Sequence, residues 1–222
     1  MGNVNIKTIF MPEEHEPLLT NHACPEMTVN SGYITKSQLI LQFNYHSIGD
    51  KWSYTIHDYF HHNKRIFDAM HPEQNLLFIA DSENHIVAIL EREKWNSIVI
   101  KNSHKMPVAA LVPNRDHFEL KRMYKQSGMD ADEMEKPYVY SVEGDFEHNH
   151  FVIKNAAQDV ISKVSGIYGD QAMDQNFGVR ICKNTDVVMV ISICMALNMF
   201  TNNVDLFTNN MPALTPIGIP YV

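Results

Sequence analysis

The chain has 222 residues, 45% hydrophobic and 20% charged, close to an ordinary globular domain, which excludes disorder throughout. Its 18 Lys and Arg against 26 Asp and Glu leave a net charge of −8. That lacks the basic footprint of a free-standing DNA or RNA binder, so no nucleic-acid partner is expected. The cysteines Cys24, Cys182 and Cys194 form no CxxC pair. Their odd count argues against a disulfide framework and for a reducing compartment, so a cytoplasmic location is expected.

Met1 to Met11 carries no apolar run long enough for a signal peptide. Gly2 is followed by Ile6, where a myristoylation pattern wants Ser or Thr. Residues 1–32, with Pro12, Pro17, Pro25 and Asn30-Ser31-Gly32, read as an irregular N-terminal arm. About twelve short strand candidates follow. They are Tyr33–Leu41, Lys51–Tyr59, Arg65–Ala69, Leu76–Asp81, Ile86–Glu91, Trp95–Lys101, Met106–Val112 and Phe118–Tyr124, then Tyr138–Phe146, His150–Lys154, Asp159–Ser165 and Phe177–Lys183. The clearest is the second, where Trp52, Tyr54 and Ile56 alternate with polar residues at the period of a half-buried strand. Ser82-Glu83-Asn84-His85 and Asn102-Ser103-His104-Lys105 read as hairpin turns.

One segment breaks the strand pattern. Val187–Phe200, VVMVISICMALNMF, is apolar on every side and follows Thr185-Asp186, whose side chains suit a helix N-cap. It falls short of the roughly 20 apolar residues of a membrane span, so a buried core helix is expected and no transmembrane span. A helix apolar all round must be surrounded, and a sheet curled around it would bury it and remove its own edges. Residues 203–222, with Pro212, Pro216 and Pro220, read as an extended C-terminal tail.

No catalytic machinery is recognisable, and no cofactor is expected. His57-Asp58 and His61-His62 could supply metal ligands, but they sit at a strand end and turn with no distant partner, so no metal site is expected. His148-Asn149-His150 reads as a hairpin turn rather than a nuclease triplet. Asp130, Asp132 and Glu133 mimic part of a calcium loop but lack its glycine and final glutamate, so Gly128–Lys136 reads as a solvated acidic loop. Cys182, Cys194, Met189, Met195 and Met199 read as packing residues. Residues 101–125 carry a basic excess. Lys121, Arg122 and Lys125 within it are the candidate lipid-binding residues, since each Lys or Arg near an anionic surface gains about 1 kcal/mol.

Residues 150–166 (HFVIKNAAQDVISKVSG) and 176–200 (NFGVRICKNTDVVMVISICMALNMF) resemble the C-terminal third of the tubby C-terminal-like superfamily. They are similar to LURP-one-related proteins and to phospholipid scramblases. The matching positions are Lys163, Phe177-Gly178-Val179, Asp186 and Val187–Phe200. The resemblance extends more weakly upstream and spans residues 33–202. It implies a mainly β fold, a closed antiparallel barrel of about twelve strands around one buried C-terminal helix. It also implies non-enzymatic work: phosphoinositide or membrane tethering in tubby-like members, and lipid movement in scramblases. The acid-rich segment of scramblases is reduced here to Asp170, Asp174 and Asp186, and their cysteine cluster and Pro-rich arm are missing. A LURP-one-related binding or scaffold module is therefore expected, with an anionic lipid headgroup or a protein as partner and a location peripheral to the membrane. A scramblase-like membrane-associated protein is the alternative.

Overall fold

In a computed structural model that describes residues 27–48, 51–61, 64–93, 97–123, 138–146, 148–166 and 175–201, period-two alternation organises the chain. The strands are β1 (Leu39–Ile48), β2 (Lys51–Asp58), β3 (Lys64–Glu73), β4 (Leu76–Asp81), β5 (Ile86–Glu93) and β6 (Ser97–Asn102). Then come β7 (Pro107–Asn114), β8 (His117–Arg122), β9 (Tyr140–Asp145), β10 (His150–Asn155), β11 (Val160–Gly166) and β12 (Phe177–Ile181). All pairings are antiparallel between sequence neighbours, and β12 closes the ring on β1, with Leu39 opposite Ile181 and Phe43 opposite Phe177. The product is a closed 12-stranded barrel.

Inside it runs α1 (Val187–Thr201), with every residue from Val187 to Phe200 buried. Leu41, Phe43, Tyr54, Ile56, Leu77, Ile79, Leu90, Ile98, Ile100 and Leu111 face it as one continuous core. Alternate strand residues point inward at period two, which is the pattern a filled barrel requires. Gly144 on β9 has φ +138, and a Cβ there would lie 2.5 Å from the His150 carbonyl oxygen, so only glycine fits beside β10.

The structure moves two strands by more than two residues. The first runs from Leu39 to Ile48, not from Tyr33 to Leu41. Ser31–Tyr33 is instead a 3-10 turn whose Asn30 side chain accepts from the Gly32 N–H at 3.1 Å. The third strand runs on past Ala69 to Glu73, through Pro72, and its register with β4 slips between Met70 and Glu73, where a residue without an N–H is tolerated. The hairpin at His148-Asn149-His150 is as expected, with Asn149 at φ 51 and the His148 ring 2.7 Å from Asp145.

Candidate functional site

The direction of α1 divides the barrel into an end where the helix enters and an end where it leaves. At the entry end, Asp186 holds two things at once. Its Oδ1 accepts from the Met189 N–H at 3.2 Å, capping the helix. Its Oδ2 accepts from the N–H groups of Val29 at 2.6 Å and Asn30 at 3.0 Å. The segment 27–35 thereby lies across the entry end as a strap, with Met27 and Val29 buried. Thr35 completes the attachment. Its hydroxyl donates to the Cys182 carbonyl at 2.9 Å and accepts from the Thr185 N–H at 3.1 Å, and its own N–H donates to the Thr185 carbonyl at 3.0 Å. Burial pushes the Asp186 carboxyl up to about 6, against the backbone donors that favour its charged form.

Beside the strap an open cleft of about 470 Å³ lies among Tyr33, Lys36, Asp58, Phe67, Asp81 and Val187. The Tyr33 hydroxyl donates to Asp81 Oδ2 at 2.9 Å, while its ring meets Phe67 edge-on at 5.2 Å. Burial and that carboxylate push the Tyr33 hydroxyl up to about 12. Burial would raise Asp81, but donation from His85, Tyr33 and Glu83 holds its carboxyl below the usual range. Both groups are thus set as a structural clasp, with no proton poised near neutrality for acid–base work.

The predicted lipid-binding residues lie on the far side of the ring from the cleft. Lys121 and Arg122 are adjacent on β8 and so point to opposite faces; Arg122 shares the inward face of Leu120 at the entry rim. Lys121 points outward, 48% exposed, with its ammonium 3.2 Å from the Glu119 carboxylate. Burial would raise Glu119, but donation from Asn114 and then Lys121 holds its carboxyl low. Lys125 and the acidic stretch 128–136 lie outside the described residues. His57 and Asp58 occupy opposite faces of β2 in the same way. Asp58 accepts from the Phe60 and His61 N–H groups and meets the His61 ring at 2.6 Å. Among the described residues no group of three or more His, Cys, Asp or Glu side chains converges.

At the exit end Arg92, inward on β5, donates to the Met199 carbonyl and sets its guanidinium 5.5 Å from the Phe200 ring centroid. His71 stacks on Trp52 at 4.5 Å, and burial lowers its pKa. The Tyr54 hydroxyl bonds Asn198 Oδ1 at 2.8 Å. These contacts join residues far apart in sequence, and no local signal in the chain marks Arg92 as a helix-terminus partner.

No family model matches the chain, and no curated protein matches it. One fold comparison is decisive about architecture. The barrel is similar to that of a protein from Arabidopsis thaliana solved by X-ray crystallography. The TM-score is 0.56 at 11% identity, covering 80% of this chain and 98% of that one. At that identity the likeness establishes a shared barrel fold, and site chemistry has to be argued from the residues themselves.

Proposed function

We propose that this protein is a non-catalytic, LURP-one-related binding module, peripheral to the membrane, that recognises an anionic phospholipid headgroup with the cations of β8. One observation carries the reading: the bore of the barrel is filled by the protein's own helix, so recognition falls to its rim and outer wall. Lys121 stands outward on that wall, and each such cation near an anionic surface gains about 1 kcal/mol. Glu119 at 3.2 Å offsets part of that gain.

Flotation with phosphoinositide-containing liposomes tests this. The wild-type chain is expected to float, Lys121→Glu with Lys125→Glu to float less, and Glu119→Gln to float more. Wild-type binding by the double variant would remove β8 from the reading. Failure of the wild type to float with any anionic liposome would leave a protein partner instead. The sequence resemblance to tubby-like proteins and scramblases supports the same ligand class. A scramblase-like insertion would require Val187–Phe200 to leave the barrel that buries them, and carbonate-resistant membrane association would favour it. Among the described residues no helix is long and apolar enough to cross a membrane.

A further inference from the structure

At four successive strand connections of the entry end, the described residues include one exposed large apolar side chain apiece. Round the ring they are Phe60 after β2, Ile86 opening β5, Met106 before β7 and Met123 after β8. Their exposures are 62%, 41%, 56% and 44%. Among the described residues the one other exposed large hydrophobic is Met70, on the outer face of β3. Isolated apolar residues on a surface are ordinary; among the described residues four of the five exposed ones fall on consecutive connections of one rim. Each of the four also has a basic or imidazole neighbour in the chain: His61, His85, Lys105 and Arg122.

Three of these connections are held in shape by the strand residues that lead into them. Asp58 accepts from the Phe60 N–H at 2.9 Å. Asp81 accepts from the Glu83 and His85 N–H groups, each at 2.9 Å. Asn102 accepts from the His104 N–H at 3.0 Å and the Met106 N–H at 3.1 Å. Tips fixed in this way lose little conformational freedom on docking. Lys105 is held at φ 63, where turn chemistry favours glycine or asparagine.

Charge points the same way. The chain carries −8 overall, yet Lys36, Lys64, Lys105, Lys121 and Lys183 stand exposed at this end. Asp58 and Asp81 are turned into their own loops, and Asp186 is buried under the strap, so Glu83 and Asp159 are the exposed acids of the described rim; the sequence of the β8–β9 connection, outside the described residues, adds Asp130, Asp132, Glu133 and Glu135 against Lys125 and Lys136. Separate apolar tips interleaved with cations fit a fluid headgroup layer. A protein interface would instead have a contiguous, close-packed apolar centre.

We infer that the entry rim is a membrane-docking surface: Phe60, Ile86, Met106 and Met123 enter the boundary between headgroups and acyl chains of an anionic bilayer, while the exposed lysines of the rim meet the phosphates. The inference rests on the lipid reading above and adds the docking face and the orientation, with the barrel axis steep to the membrane.

Flotation of the full chain on phosphatidylcholine vesicles with and without phosphatidylserine tests it. Phe60→Ser with Met106→Ser is expected to weaken binding to the anionic vesicles by about ten-fold or more, since two apolar anchors are lost. Lys105→Gly is expected to weaken it about five-fold by removing one cation, and glycine suits the φ of that turn, so misfolding would not account for the loss. Met70→Ser, outside the rim, is expected to bind as wild type. Phe60→Trp should show a blue-shifted, quencher-protected emission on vesicles. If the rim variants bind as well as wild type while Lys121→Glu fails, the headgroup reading stands and the rim is overturned. If the wild type binds neither vesicle, both are overturned.

Discussion

Two backbone N–H groups of the strap on one side of Asp186 and the helix terminus on the other occupy both oxygens of its carboxylate. Asn at this position keeps one acceptor and turns an amide N–H toward donors, so Asp186→Asn should cost about 1–3 kcal/mol in urea unfolding. The carboxyl sits near 6 when folded, raised from 3.8. A raised carboxyl binds its proton more tightly in the folded state. Its contribution is therefore complete below pH 4 and is lost as pH rises through 6, by about 3 kcal/mol in all. The stability difference between wild type and Asp186→Asn should accordingly shrink from pH 4 to pH 7; a difference that grows instead would contradict this account. Ser192 is the opposite case, a buried hydroxyl without a hydrogen-bond partner among the described residues. Ser192→Ala should leave stability unchanged or raise it by up to about 1 kcal/mol, because only a desolvation cost is removed.

A helix buried on all sides gains little from amphipathic design and is held at its ends. Asp186 places negative charge at the positive end of the α1 dipole, and Arg92, reaching in from β5, places positive charge at the negative end. Arg92→Leu should therefore lower the unfolding midpoint, with a loss of about 1–3 kcal/mol, as the Met199 carbonyl loses a charged donor and Phe200 its cation. Ile191, fully buried in mid-helix, has no room to relax, and Ile191→Ala should cost about 2–5 kcal/mol in the same measurement. Helix existence, its N-cap and the inward face of β2 were all legible in the chain, since each depends on neighbours within a turn or a pleat. The extent of β1 was not, because Asn44, His46 and Ser47 interrupt an apolar pattern that only pairing with β2 and β12 completes. The extent of β3 was hidden by Pro72, which the bulge accommodates.

Closure of the ring depends on a short strand. β12 spans 5 residues, Phe177–Ile181, yet it pairs on one side with β1 and on the other with β11. The helix that follows fills the space the ring encloses. A chain ending at residue 185 would keep every strand and lose the plug, leaving an apolar bore exposed to water. It should aggregate or show no cooperative thermal transition, which light scattering and calorimetry would detect. The stacking of Phe43 on Phe177 at 4.4 Å and the bond from Tyr54 to Asn198 show how far the core depends on contacts between distant parts of the chain.

By itself the sequence determined the fold class. Period-two alternation broken once by an all-apolar segment too short to span a bilayer admits few solutions other than a sheet wrapped around a helix. Only the tertiary structure decided which residues meet. It brought Val29 to Asp186, Arg92 to Met199 and Tyr33 to Asp81, and it set Phe60, Ile86, Met106 and Met123 at one end. Local periodicity reports which face of an element is apolar. Closing the ring determines which elements share an end, and that long-range geometry leaves no local trace.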